Sequence, residues 1–109
     1  MDYTLSYFNE TVQSEFDVWP VGLLARFRAI SIRMEVYGPN LGMPHTRALG
    51  DGLFEIRTKA EEGIGRAFFC TLVGRRIVIL HGFIKKTDKT PKRELTIARN
   101  RLKEVIQNG

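Results

Sequence analysis

The stretch "LFEIRTKAEEGIGRAFFCTLVGRRIVILHGFI" (53–84) decides the fold. Within it, "LFEIRTK" (53–59) alternates, sending Glu55, Arg57 and Lys59 to one face and Phe54 and Ile56 to the other. "RAFFCTLV" (66–73) and "RIVILHGFI" (76–84) are continuously apolar, the pattern of central strands covered on both faces. Gly63 and Gly65 mark one turn and Gly74 the next, so the three strands form an antiparallel meander.

Upstream, "YTLSYF" (3–8) alternates and is rich in aromatics, which predicts a further strand. Asn9 offers an N-cap, and Val12, Phe16 and Trp19 follow at helical spacing. Pro20 suits the first turn of a second helix, in which Leu23, Phe27, Ile30 and Met34 make one apolar stripe. Gly38-Pro39 ends it, since glycine tolerates a left-handed cap and proline cannot continue a helix. "GPNLGMPHTRALGDG" (38–52), with four glycines and two prolines, reads as one long loop, either functional or a connector across the sheet. Downstream, Thr90 can cap and Pro91 fits a first helical position. Leu95, Ala98, Leu102 and Val105 then form the last helical stripe. The expected order is β-α-α-β-β-β-α, a single α+β domain over residues 1–109 with a small antiparallel sheet.

Composition bounds the function. The chain of 109 residues is 43% hydrophobic and 27% charged, which is globular material and not disorder. No apolar run approaches the roughly 18 residues that span a bilayer, and the N-terminal residues lack the layout of a signal peptide. A lone cysteine, Cys70, permits no internal disulfide, so the expected compartment is the reducing cytoplasm. With two histidines and one cysteine, none clustered, no metal site and no cofactor are expected. Phosphate-binding glycine loops, His-Glu-x-x-His and serine elbows are absent. Charge is asymmetric: residues 1–52 carry −2 and residues 53–109 carry +7. That points to a phosphate-bearing partner, although basic residues more often form a solvated face.

The informative cations sit on strands. Arg57 and Arg66 interrupt runs that otherwise build a core, and Lys85 and Lys86 follow the last apolar run. A charge on a covered strand needs a partner or a solvated concavity, because burying it alone is costly. Either these residues converge as an anion site, or Arg57 merely pairs with Glu55 or Glu62 at the surface.

"GLFEIR" (52–57), "RAFF" (66–69) and "HGFIKKTDKTP" (81–91), followed by a helix with Ala98 and Arg101, resemble the HigB-type, phage-derived branch of the RelE/ParE toxin superfamily. The resemblance implies the RelE-like fold and the toxin of a type II toxin–antitoxin system. It also implies a messenger-RNA endonuclease that acts at the ribosomal A site and is held inactive by a co-encoded antitoxin. By motif position it implies Arg66, Lys85 and Lys86 as catalytic residues, and Arg57, the other strand arginine, joins them as a phosphate clamp. Lys59, His81, Phe83, Lys89, Lys92 and Arg93 are the accompanying candidates for RNA contact. Metal-free RNA cleavage needs a base for the 2′-hydroxyl proton, cations around the crowded phosphate and an acid for the leaving oxygen. Lysine can be the base where burial and neighbouring cations depress its pKa, whereas arginine stays protonated and suits a clamp.

The sequence departs from the pattern of that superfamily in two respects. Tyr3, Tyr7 and Tyr37 all lie in the first 40 residues, so the C-terminal tyrosine that some superfamily ribonucleases use has no counterpart. His45 and His81 do not match the histidine positions of others. Two alternatives stay open at this level: a ParE-like DNA gyrase inhibitor without RNA cleavage, and a non-enzymatic RNA-binding module.

Overall fold

The computed structural model describes residues 2–85 and 91–108. Its elements are β1 (Thr4–Tyr7), α1 (Glu10–Asp17), α2 (Val21–Tyr37), β2 (Thr46–Gly50), β3 (Leu53–Ala60), β4 (Gly63–Leu72), β5 (Arg76–Lys85) and α3 (Lys92–Asn108). The helices begin and end where local chemistry demands. Asn9 caps α1, its side-chain oxygen accepting from the Val12 amide at 2.9 Å. Pro20 lies one position before α2, and its carbonyl accepts from Leu24 N. Gly38 closes α2 at φ 97°, a conformation that glycine adopts without strain. Pro91 plays the same part ahead of α3, while the expected Thr90 cap lies outside the described residues. No described helix is long and apolar enough to cross a membrane.

The expected α+β architecture is present, with the sheet order β1-β5-β4-β3-β2. β2 to β5 form a continuous antiparallel meander, and β1 joins the far edge parallel to β5. The meander therefore has four strands where the sequence suggested three. The segment expected to be all loop supplies the fourth, pairing Thr46 with Ile56 and Ala48 with Phe54. Its edge position and five-residue length left little apolar alternation to detect. The overlooked signal was Asp51-Gly52, which turns into β3 with φ of 54° and 83° at successive residues, as a two-residue hairpin of the primed kind requires. Gly65, expected in a turn, instead lies inside β4 under the Trp19 ring.

Two cores sandwich the sheet. α1 and α2 cover one face with Val12, Phe16, Trp19, Leu23, Phe27 and Met34, against Ile56, Ala67, Phe69, Ile77 and Ile79. α3 covers part of the other face, setting Ala98 and Leu102 on Leu53, Phe68, Cys70, Val78 and Leu80.

One irregularity in β5 positions everything that follows. Phe68 pairs with His81 but Phe69 pairs with Ile79, so Leu80 is an extra residue, a β-bulge. Val78 and Leu80 face α3; without the bulge, strict alternation would turn Phe83 and Lys85 to the opposite face. With it, Phe83 and Lys85 share the α3 face with Arg66, and Gly82 is presented to the helical hairpin. A β-carbon at Gly82 would collide with the Phe16 ring. Gly82→Ala is therefore expected to overpack this contact and cost roughly 1–3 kcal/mol, read as a lowered midpoint in urea denaturation.

Candidate active site

Three cross-strand rows on the α3 face of β3, β4 and β5 bring the strand cations together. Lys59, Ile64 and Lys85 make the first row, Arg57, Arg66 and Phe83 the second, and Glu55, Phe68 and His81 the third. Adjacent strands lie ~4.8 Å apart, so the three strands span about 10 Å. Arg57 and Arg66 are direct register partners.

Glu55 organises the centre. Its side chain is 3% exposed and that of Arg66 8%, and Arg66 Nη1 donates to both Glu55 oxygens at 3.1 Å. Arg47, on β2, donates its Nε to Glu55 Oε1 at 2.7 Å. The one carboxylate thus serves two guanidinium groups while Arg57 stands beside them, leaving net positive charge on the patch. Sequence reasoning saw Glu55 only as a surface partner for Arg57. The structure gives it instead to Arg66 and Arg47, and Glu62 accepts from the Gly22 amide. Arg57 is consequently in neither expected pairing, and its Nε is buried without a hydrogen-bond partner.

His81 is buried at the rim. Its Nε2 lies 3.1 Å from Glu94 on α3, and Arg101 Nη1 approaches its Nδ1 at 3.4 Å. The Glu15 carboxylate also lies 3.9 Å from Nδ1, so the ring sits between two carboxylates and the Arg101 guanidinium. The ring also lies near-parallel to Phe68 and Phe83, with centroids 6.4 and 6.1 Å away. Phe83 is half-buried. Arg101 does a second job: Nη1 donates to the Leu80 carbonyl at 2.7 Å, satisfying an acceptor at the bulge.

The remaining candidates are dispersed or undescribed. Lys92 and Arg93 are exposed in the first turn of α3. Lys86 and Lys89 lie outside the described residues. Tyr3 and Tyr7 pack in the hairpin-side core and Tyr37 ends α2, so none joins the cationic patch. Cys70 is buried, which pushes its thiol above the ordinary range against the opposing influence of Arg76; it is no candidate nucleophile. Among the described residues no group of three His, Cys, Asp or Glu could hold a metal ion.

Comparison with known proteins matches this pattern to a family model, "Phage derived protein Gp49-like (DUF891)", over residues 14–103. The chain belongs to that family. No curated protein matches. Two solved toxins share the fold. The archaeal RelE–RelB complex from Pyrococcus horikoshii OT3 superposes with a TM-score of 0.59 at 18% identity, covering 79% of this chain and 98% of that one. A mutant of the E. coli toxin RelE in the free state gives 0.62 at 11% identity, covering 93% and 98%. The chain is thus Gp49-like by family and RelE-like in fold.

Two outcomes follow from the geometry. Glu55→Ala would leave Arg66 buried without its counter-charge and is expected to destabilise by roughly 3 kcal/mol, measurable by chemical denaturation. Arg101→Ala would strip the bulge carbonyl of its donor. The expected cost is about 1–3 kcal/mol, with faster amide hydrogen exchange concentrated in residues 79–85.

Proposed function

We propose that this protein is the toxin of a type II toxin–antitoxin pair, a HigB-type endoribonuclease that cuts messenger RNA in the ribosomal A site. The observation that carries the reading is the Arg57–Arg66 pair. Two guanidinium groups occupy directly opposite positions, with Lys59 and Lys85 in the neighbouring row. Like charges so placed cost stability, and a docked phosphate offsets that cost. Family membership and the RelE fold support the toxin assignment. That one RelE of the same fold is complexed with RelB supports a co-encoded partner, and the +7 charge of residues 53–109 favours acidic segments on it.

In this reading Arg57 and Arg66 hold the non-bridging oxygens of the scissile phosphate, where negative charge grows in the transition state. Lys85, half-buried at the end of β5, takes the 2′-hydroxyl proton as that oxygen attacks phosphorus. The bond to the 5′-oxygen breaks, and Lys86 is the candidate to protonate it. The products are a 2′,3′-cyclic phosphate and a 5′-hydroxyl. Phe83 offers a face on which a base can stack. Every proton and charge in the scheme is assigned to a side chain, so cleavage of ribosome-free RNA is expected to persist in EDTA.

The test maps messenger-RNA ends after incubation with translating ribosomes. Lys85→Ala and Arg66→Ala should each slow cleavage by roughly a hundredfold, while Lys92→Ala leaves it nearly intact. Lys85→Arg retains the charge but supplies a poor base, so it should be nearly as slow as alanine. A folded Arg66/Lys85/Lys86 triple-alanine variant that still cleaves at the parent rate would place the chemistry elsewhere. Gyrase inhibition with no new messenger-RNA ends would overturn the ribonuclease reading itself.

A further inference from the structure

A second cationic concavity lies beyond Arg57, away from Arg66. Its volume is about 430 Å³, and Arg26, Arg33, His45, Arg57 and Lys59 line it over a floor that includes Ile30 and Pro44. Among the described residues no carboxylate lines it. The fold builds it from three sources. Arg26, Ile30 and Arg33 are spaced four and three apart, so they share one face of α2. β2 pairs with β3 only as far as Ile56, so Arg57 and Lys59 lie past the end of the edge strand. His45 closes the join, its carbonyl accepting from the Arg57 amide at 2.8 Å.

The cavity is not isolated from the catalytic patch. A cleft of about 50 Å³, lined by Pro44, His45, Glu55, Arg57 and Arg66 among others, shares Pro44, His45 and Arg57 with it. Arg57 is thus common to both concavities, and its buried Nε has no hydrogen-bond partner. Four permanent or near-permanent positive charges with no counter-charge in the lining fit a phosphate ester better than a neutral ligand. The volume falls within the range of small-molecule sites and the floor is apolar, so a nucleoside can accompany the phosphate.

We propose that this cavity binds the RNA nucleotide next to the scissile phosphate, its phosphodiester held by Arg26, Arg33 and Lys59 and its nucleoside set against Ile30 and Pro44. The proposal rests on the ribonuclease reading for its substrate, and it names a subsite that reading does not require. The strand runs from the Arg66 patch over Arg57 into the cavity. Arg57 then bridges two consecutive phosphates, which accounts for a guanidinium that the protein itself leaves incompletely bonded.

The test uses the isotopically labelled full chain and a 2′-O-methyl RNA trinucleotide, which lacks the attacking hydroxyl and cannot be cleaved. Amide resonances of Ile30, His45 and Lys59 should shift together with those of Arg66 and Phe83. Arg26→Ala/Arg33→Ala, two exposed positions on α2, should bind roughly tenfold more weakly, with a salt slope shallower by about 0.7 per lost phosphate contact. The Arg66 and Phe83 shifts should remain in that variant, and an unchanged thermal midpoint would confirm its fold; Lys59→Glu gives an independent check. Shifts confined to Arg66 and Phe83, or a folded double variant that binds as the parent does, would overturn the subsite. So would saturation of the cavity by an acidic peptide and not by RNA, or by adenosine monophosphate as tightly as by the trinucleotide. If the trinucleotide fills the cavity but the protein cuts no RNA, the subsite stands and the catalytic reading falls.

Discussion

A single extra residue in β5 determines which side chains meet. Strands alternate with period two, so every residue after Leu80 is displaced by one step in phase. The displacement places Phe83 and Lys85 in the rows that contain Arg66 and Lys59. It also places Gly82 against Phe16, where only a residue without a β-carbon fits. A bulge disrupts the ladder and leaves backbone groups to be satisfied elsewhere, and Arg101 reaches from α3 to donate to the Leu80 carbonyl. The last helix thus contributes more than an apolar cover: it stabilises the irregularity on which the arrangement of the cationic face depends.

The two faces of the sheet solve different problems. On the hairpin side, Phe16, Trp19 and Phe27 pack with centroids 4.5 to 5.6 Å apart over small residues of the sheet, a dense core that fixes the strands. On the α3 side, apolar packing around Phe68 and Leu80 gives way within two residues to Arg66 and Arg57. Rigid strands keep the arginines from spreading apart, and Glu55 keeps the pair from repelling beyond what the core can tolerate. Without the first core, the second face would relax its charges into solvent.

Much of this was legible in the chain. The apolar runs at 66–73 and 76–84 and the alternation at 53–59 located three strands within a few residues, because burial on defined faces dictates those patterns. The helical stripes of α1, α2 and α3 were equally plain. β2 was not, since a short edge strand among glycines and prolines buries too little to show a period. The bulge was invisible for a different reason: "VILHGF" has no residue that marks a phase change, and the shift emerges only from pairing with Phe68 and Phe69. The cations on β3 and β4 could be named from sequence, yet their partners could not. Arg47 and Arg66 lie eight and eleven residues from Glu55 along the chain and meet it only through register. His45 went unrecognised as part of a site because a loop residue gains meaning only from the strand it closes upon.

The cations of the patch also differ in how firmly they are held, and that gradient bears on what an anion would find. Arg66 is fixed by burial and by two contacts to Glu55, so it offers a preorganised charge that needs no reorientation when a ligand arrives. Arg57 is half-buried with an unpartnered Nε, and can therefore gain a hydrogen bond without first losing one. Arg47 is half-exposed and shares the same carboxylate as Arg66. A ligand phosphate that draws on Arg66 competes with Glu55, and Arg47 can hold that carboxylate in place while it does. The buried acid and its two arginines thus let the face remain cationic without becoming unstable, which a row of arginines alone could not achieve.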